Sequence, residues 1–150
     1  MKKIFAVILT LAMLLCFVGC VGSDVKATVV NNDGATEYLT AKELAKISDE
    51  NAIAFKNKYW CASVTVEGTI KEIKSLCTIN GTTYQWAVYV EGGSSDWFIG
   101  KTSISKTTVT ESLLGSLNVG DKVKISGEIV GANSFDCDIS NGTTSITKIN

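Results

Sequence analysis

The sequence predicts a mainly β domain with five strands, a short helix between the third and fourth strands, and a further helix before the first. Three observations support this fold class. Apolar and polar residues alternate with a period of two in most segments after residue 60. Asn-Gly pairs at residues 80–81 and 141–142 are typical of tight hairpin turns. Helical patterns interrupt the alternation only at residues 39–57 and 110–117.

The first 19 residues are typical of an export signal. Lys2 and Lys3 precede an uncharged, apolar stretch over residues 4–18. A membrane-spanning helix needs about 20 apolar residues, so this stretch fits a cleaved signal peptide better than a permanent span. We therefore predict that residues 1–19 are a signal peptide and that the protein is exported.

The end of this segment indicates a lipid anchor. Residues 17–20, Phe-Val-Gly-Cys, resemble the bacterial lipoprotein cleavage box, in which the Cys is acylated and becomes the mature N-terminus. Two or three acyl chains, palmitate among them, would hold Cys20 stably in a membrane. We predict a lipoprotein on the cell membrane, facing outside the cytoplasm. Simple cleavage near Gly19 or Gly22 is the alternative, and it would export the protein without an anchor.

Residues 20–37 are predicted to be the lipidated Cys and a flexible tether, and residues 38–150 the folded domain. The segment after Cys20 is polar, contains Gly22 and Gly34, and has no clear period.

A helix is predicted to begin at the start of the domain. Thr40 and Glu43 have the spacing of a capping box, in which each side chain bonds the other residue's backbone N–H. The apolar stripe continues to about residue 57, although Asn51 interrupts it. Asn51 is interpreted either as hydrogen-bonded to the sheet beneath or as a boundary residue that meets water.

The segments after this helix predict the order of the strands. Strands are predicted at residues 63–70, 84–90, 96–99, 123–129 and 135–139, with a last short strand at residues 145–149. Gly68 inside the first strand indicates a bulge or bend. Three strands, a short helix and two more strands form the β-β-β-α-β-β order of an OB-fold, a small five-stranded barrel. A small β-sandwich is the alternative.

The chain also resembles a known family. The segments that carry the likeness are residues 40–44, 50–54, 58–59 leading into 64–70, and 113–117 leading into 119–129. These segments are similar to the OB-fold lipoproteins of the tRNA-anticodon-binding-like (tRNA_anti-like) family, and the likeness covers about residues 39–149. The resemblance implies an exported OB-fold domain with no catalytic residue set.

Aromatic residues on the second and third strands form the candidate ligand face. OB-folds use these strands to stack bases or sugars. The alternative is that the side chains of Tyr84 and Trp86, which share one side of their strand, fill the barrel interior. Tyr89 would then lie on the outer side. No Lys falls between Lys74 and Lys101 to track a nucleic-acid backbone. The candidate residues are Tyr84, Trp86, Tyr89, Trp97 and Phe98.

Three cysteines follow Cys20, and they allow one disulfide and one free thiol in an oxidising exterior. Three pairings are open. Cys61 with Cys77 is the candidate disulfide, because these two residues bracket the first strand. Cys137 lies on the apolar parity of its strand, which predicts a buried and inert thiol.

Composition argues against most catalytic and metal sites. The chain contains no His, Arg or Pro, which excludes His-activated nucleophiles, His metal sites and guanidinium binding of phosphate. Three Cys without a close pair do not predict zinc, and Asp96, Asp136 and Asp138 lack the loop pattern of a calcium site. No metal or other cofactor is predicted. From Cys20 onward, 12 Lys and 15 acidic residues give a net charge of -3, which disfavours polyanions.

These observations predict a lipid-anchored OB-fold binding or interaction module of the bacterial cell envelope, and not an enzyme. Its expected partner, besides the membrane, is an envelope protein or a glycan. A glycan-active enzyme that uses paired carboxylates is one alternative. Binding of single-stranded nucleic acid or of an oligosaccharide on the aromatic face is another.

Overall fold

The computed structural model describes residues 25–102, 104, 107–133, 136–140 and 144–149. The predicted signal peptide and Cys20 lie outside these residues. None of the described helices is both long enough and apolar enough to span a lipid bilayer. The elements are β1 Lys26–Val30, β2 Thr36–Thr40, α1 Ala41–Glu50, α2 Ala52–Tyr59, β3 Ser63–Ile79, β4 Thr82–Val90, β5 Asp96–Lys101, α3 Glu111–Leu114, β6 Lys122–Ala132, β7 Asp136–Ile139 and β8 Ser145–Lys148.

The described strands form one sheet, which confirms the predicted mainly β class. The order of the strands is β2-β1-β3-β4-β5-β7-β6-β8, and β3 pairs with β6 as well. The pairings therefore run from β3 through β4, β5, β7 and β6 and return to β3. The β5–β7 pair is parallel, and the other pairs are antiparallel.

Strand β3 changes its pairing partner along its length. Residues 63–69 pair with β6 and residues 70–79 pair with β4, with a register shift between Ile70 and Glu72. The sequence predicts this irregularity at Gly68, but the structure has it later in the strand, between Ile70 and Glu72. Gly68 has another role, because a Cβ atom there would lie 2.5 Å from the Val90 side chain. Its missing side chain lets β4 approach β3 closely.

The turn at residues 80–81 is confirmed. Asn80 and Gly81 have φ values of 48° and 80°, so both lie in the left-handed region that a type I′ hairpin turn requires. They join β3 directly to β4, and β3 therefore extends to Ile79 rather than ending near residue 70.

The N-terminal part of the domain differs from the prediction. Residues 26–40, most of which fall in the predicted tether, form a β1–β2 hairpin, and β1 also pairs with β3. Ala27 and Val29 are fully buried. The tether prediction is wrong for these residues because two buried positions are too few to show a period in a polar segment.

A buried amide holds the loop of this hairpin. Asn31 is 4% exposed, and its Oδ1 accepts hydrogen bonds from the Asp33 and Ala35 backbone N–H groups, both at 3.0 Å. Its Nδ2 donates to Glu37 Oε1 at 2.6 Å. The loop is therefore fastened by one side chain that uses both ends of its amide.

The predicted capping box is confirmed, but the helix is shorter than predicted. The Thr40 hydroxyl accepts from the Glu43 N–H at 3.1 Å, and Glu43 Oε2 accepts from the Thr40 N–H at 2.8 Å. Helix α1 ends at Glu50, because the exposed Asn51 closes α1 and caps α2 by accepting from the Ala54 N–H. Asn51 is therefore a boundary residue that meets water, and two helices replace one.

The main core combines side chains from β1, from α1 and α2, and from the strands β3, β4, β5, β6 and β7. Each of the five strands contributes at least one fully buried aliphatic side chain, for example Val66, Val88, Ile99, Ile125 and Ile139. A separate group on the opposite face of β4 and β5, which we call the outer cluster, consists of Ala87, Tyr89 and Phe98 with the partly buried Cys77, Ile79 and Tyr84.

We predict that Asn31→Ala lowers the free energy of unfolding by about 2 kcal/mol, because it leaves the N–H groups of Asp33 and Ala35 without their side-chain acceptor and removes one of the donors to Glu37. Urea denaturation of the full chain measures the change. Asn118→Ala is the matched control, since Asn118 is exposed, and it should change the value by less than about 0.5 kcal/mol. Equal effects of the two substitutions would show that Asn31 does not fasten the loop.

Candidate functional site

The five aromatic residues predicted to form one ligand face are divided between two faces of the sheet. Trp86 and Trp97 are 4% and 0% exposed and belong to the main core. The Trp97 indole N–H donates to the Val25 carbonyl at 3.2 Å. Tyr84, Tyr89 and Phe98 lie in the outer cluster. The predicted ligand face is therefore wrong for the two tryptophans.

Alternation along β4 assigns Tyr84 to the same face as Trp86, but Tyr84 lies on the opposite face, in the outer cluster. Its ring meets Phe98 edge to face, with 5.2 Å between the ring centroids, although Trp86 two residues later is in the main core. Opposite these residues, Leu76 has a φ of 44°, and it falls between the pairs Ser75–Trp86 and Cys77–Tyr84. The change of face coincides with this left-handed residue.

Glycine makes room for the outer cluster. A Cβ atom at Gly100 would lie 2.6 Å from Tyr84 Cδ1 and 2.7 Å from Phe98 Cζ. The rings of Tyr89 and Phe98 pack at 5.1 Å. Because the rings of Tyr84 and Phe98 occupy the space above Gly100, any larger residue at position 100 would displace them.

Three carboxylates border the outer cluster. On the parallel strands β5 and β7, Asp96 is opposite Asp136 and Phe98 is opposite Asp138. Asp136 and Asp138 line a small cavity of about 80 Å³, which we call the acidic cavity. Its other lining residues are Ile79, Asn80, Thr82, Tyr84, Phe98 and Asn133.

Burial acts on two of these carboxyl groups, Asp136 and Asp138. Burial, followed by the charge of Asp136, raises the pKa of Asp138 to about 7, and its buried Oδ1 has no hydrogen-bond partner in the described part of the chain. Burial, followed by the charge of Asp96, also raises the pKa of Asp136. Asp96 is paired with Lys71 at 2.6 Å. The acidic cavity therefore offers an acceptor that a cationic or hydrogen-bond-donating group would satisfy.

One lysine contacts the outer cluster at its edge. The Lys74 ammonium lies 5.0 Å from the centre of the Tyr89 ring and 3.0 Å from Glu72 Oε2. Burial raises the pKa of Tyr89 to about 12, so its phenol stays neutral. Since Lys74 is already paired with a carboxylate, it adds little net positive charge to this face.

The cysteines are free and far apart. Cys61 precedes β3, exposed and with a φ of 61°, whereas Cys77 lies near the other end of this 17-residue strand. A strand rises about 3.3 Å per residue, and a disulfide needs Cα atoms within about 7 Å, so the predicted Cys61–Cys77 pairing is wrong within one chain. Cys137 is fully buried, as predicted, and burial raises the pKa of its thiol.

The acidic cavity has the size of a small group and does not resemble a substrate cleft. Ligand pockets usually enclose about 300–1,000 Å³, and this cavity is far smaller. Within the described part of the chain, no three His, Cys, Asp or Glu side chains are grouped to hold a metal ion. The space between the two half-buried carboxyl groups matches the size of one polar group rather than of a whole substrate.

A second cavity, which the sequence reasoning missed, lies between the β3–β4 hairpin and α3. It encloses about 440 Å³, and we call it the hairpin–helix cleft. Ile73, Ser75 and Trp86 line it from the hairpin, and Leu114 and Gly115 line it from α3 and its end. Helix α3 is one turn long, Glu111–Leu114, rather than the predicted eight residues. No sequence pattern identifies a gap between a hairpin and a helix.

The comparisons with known proteins show one family. Residues 1–139 match the tRNA_anti-like family. No curated protein and no solved structure matches the chain.

The raised pKa of Asp138 predicts a specific dependence of stability on pH. The pKa rises from 3.8 to about 7 on folding, so the protonated carboxyl stabilises the fold below pH 4, and this contribution is lost as pH rises through 7. Between pH 4 and pH 8, the free energy of unfolding of the wild type should fall by about 3 kcal/mol more than that of Asp138→Asn. Urea denaturation across this range measures the difference.

The control for this experiment is Asp33→Asn, because Asp33 is exposed in the β1–β2 loop. It should follow the pH profile of the wild type. Parallel profiles for the wild type and Asp138→Asn would mean that Asp138 titrates as an ordinary surface carboxyl.

Thiol labelling tests the free state of the cysteines. We expect iodoacetamide to label Cys61 first in the native protein, Cys77 more slowly, and Cys137 after unfolding, because their exposure decreases in this order. Mass spectrometry of peptides from unreduced protein locates the label. A peptide that joins Cys61 to Cys77 would contradict the structure.

Proposed function

The chain belongs to the tRNA_anti-like family, and from this membership we propose that it is an exported, lipid-anchored OB-fold binding module of the bacterial cell envelope. The proposal combines three parts, namely the barrel, the ligand face and the anchor. Each part has its own support in the residues.

The pairings of the strands support an OB-fold barrel. We assign its five strands to β3, β4, β5, β6 and β7, because their pairings return to β3 and because α3 falls between the third and fourth of them. The parallel pair β5–β7 joins the third and last of these five strands. On this assignment, the β1–β2 hairpin, α1, α2 and β8 are additions around the barrel.

The position of the acidic cavity is the observation that carries the proposed binding function. OB-folds bind ligands on the face of their second and third strands, beside the loops that follow the first and fourth strands. The corresponding elements here are β4 and β5, the turn at residues 80–81 and the loop after β6. Residues from each of these elements line the acidic cavity. They are Tyr84 and Phe98 from the strands, Asn80 from the turn and Asn133 from the loop after β6.

The charges of this face favour some partners over others. Asp136 and Asp138 lie where a polyanion would have to approach, and no unpaired lysine lies beside them among the residues that line the acidic cavity. Polyanion binding depends on clustered positive charge. The proposed partner is therefore an envelope protein or glycan that offers hydrogen-bond donors or a positive charge, and nucleic acid is not proposed.

The proposed anchor would hold the domain close to the membrane. Strand β1 begins at Lys26, six positions after Cys20. An extended chain spans at most about 3.5 Å per residue, so acylated Cys20 would keep β1 within about 20 Å of the lipid surface. A partner would therefore have to reach the domain near the membrane.

Cross-linking in intact cells tests the proposed function. We expect an amine-reactive cross-linker to join the anchored protein to a reproducible partner, and we expect Cys20→Ser to move the protein out of the membrane fraction. Asp136→Lys should reduce the partner adduct at least tenfold, because it reverses a charge in the acidic cavity. Mass spectrometry identifies the adducts and their positions.

Asp33→Lys is the control for the charge reversal, because it makes the same change at an exposed loop residue, and it should keep the adduct. Equal losses in both variants would point to net charge rather than to the acidic cavity. A wild-type protein that is abundant, is not membrane-bound and forms no adduct would contradict the proposed function.

A further inference from the structure

We propose that the hairpin–helix cleft binds the main chain of an extended peptide segment from a partner protein. This inference rests on the proposed function, because it names one kind of envelope partner. It concerns a surface other than the acidic cavity. Three observations support it, and they come from the size of the cleft, an unpartnered donor and an open strand edge.

The size of the cleft suits a short peptide segment. Its volume of about 440 Å³ lies within the usual range of ligand sites, about 300–1,000 Å³. Ile73 on the hairpin and Leu114 on α3 give it apolar walls, and Gln85 and Glu111 give it polar ones. One apolar side chain with its flanking amides matches this mixture.

Trp86 supplies a donor without an acceptor. The Trp86 side chain lines the cleft and is 4% exposed, and its indole Nε1 has no hydrogen-bond partner among the residues that the structure describes. Buried polar groups in folded proteins are nearly always paired, so an unpaired indole N–H marks a place where an acceptor is missing. A peptide carbonyl is an acceptor of the right kind.

The edge of β3 beside the cleft is open. The Ile70 N–H and carbonyl bond Asp121 and Gly120 towards β6, whereas the Thr69 carbonyl accepts from Glu91 at the end of β4. The two edges of β3 therefore face β6 and β4. Pairing with β6 stops at Thr69, and no described residue pairs with that edge over residues 71–79.

The backbone of β3 itself borders the cleft. Residues 73–75 are consecutive in the strand, and all three line the cleft. Successive side chains of a strand point to opposite faces, so three consecutive lining residues indicate that the backbone of β3, and not only one of its faces, borders the cleft. An extended peptide can add to an open strand edge through main-chain hydrogen bonds and place one side chain in the adjoining pocket.

A glycan is less suited to this cleft. Sugars are recognised largely through the exposed faces of aromatic rings, and the Trp86 ring is buried in the main core. The indole N–H and the strand edge instead present the single donor and the row of backbone groups that a peptide main chain complements.

The first test is a titration of the full chain in detergent with the blocked tripeptide acetyl-Val-Leu-Val-amide. The chain has three tryptophans, so ¹⁵N-tryptophan labelling gives three indole signals, and Trp86→Phe identifies the one from Trp86. We expect a saturable downfield shift of that signal alone. The same tripeptide with methylated backbone nitrogens should bind at least tenfold more weakly, because it cannot pair with a strand edge.

A blocking variant keeps the test independent of Trp86, which is part of the core. Gly115 lines the cleft with helical φ and ψ of −65° and −15°, so Gly115→Leu introduces no backbone strain and fills part of the cleft. It should weaken tripeptide binding at least tenfold. Ser112→Leu is the matched control, because Ser112 is exposed on the same helix and does not line the cleft.

Three results would overturn the inference, namely an unmoved Trp86 signal, equal binding by the methylated tripeptide, and a shift produced by a chitin oligosaccharide but not by the tripeptide. The cross-linking experiment separates this failure from failure of the proposed function. If the partner adduct persists in Gly115→Leu, the proposed binding function stands, but the cleft is not the site that binds the partner. Tripeptide binding by the purified protein without any partner adduct in cells would support the cleft as a peptide site and would count against the proposed function.

Discussion

The structure depends on the continuity of β3. This 17-residue strand pairs with β6 over its first part and with β4 over its second, so one continuous strand joins the β4–β5 pair to β6. The change of partner requires a local irregularity between Ile70 and Glu72 and a close approach of β4, which Gly68 permits. A break in β3 would therefore remove one of the two connections between the β4–β5 pair and the β6–β7 pair, and only the β5–β7 pairing would still join them.

This arrangement also creates the two candidate binding surfaces. Because β3 continues beyond its pairing with β6, its second half and β4 form a projecting hairpin with one open edge. The outer side of β4 and β5 carries the outer cluster and the acidic cavity, and the hairpin–helix cleft lies between the hairpin and α3. Strand β3 thus borders both proposed sites, the one for a polar group and the one for a peptide main chain.

Both surfaces contain polar groups that are buried without a partner, and this is their shared physical signature. Among the described buried side chains, Trp86 Nε1 and Asp138 Oδ1 have no hydrogen-bond partner, and each residue lines one of the two cavities. Burial of such groups is unfavourable for the free protein. Their opposite character, a donor in the cleft and an acceptor in the acidic cavity, gives the two sites different ligand chemistry.

The local features of this fold follow from the order of the amino acids. The capping box at Thr40 and Glu43, the turn at Asn80 and the alternation along the strands each depend on neighbouring residues. Tertiary structure alone decided which aromatic residues face the core. Tyr84 and Trp86 share a parity but occupy different faces, and the change coincides with the positive φ at Leu76. It also brought Asp136 and Asp138 against Tyr84 and placed Cys61 far from Cys77. Contacts between distant segments depend on strand pairing and packing, which a local pattern does not encode.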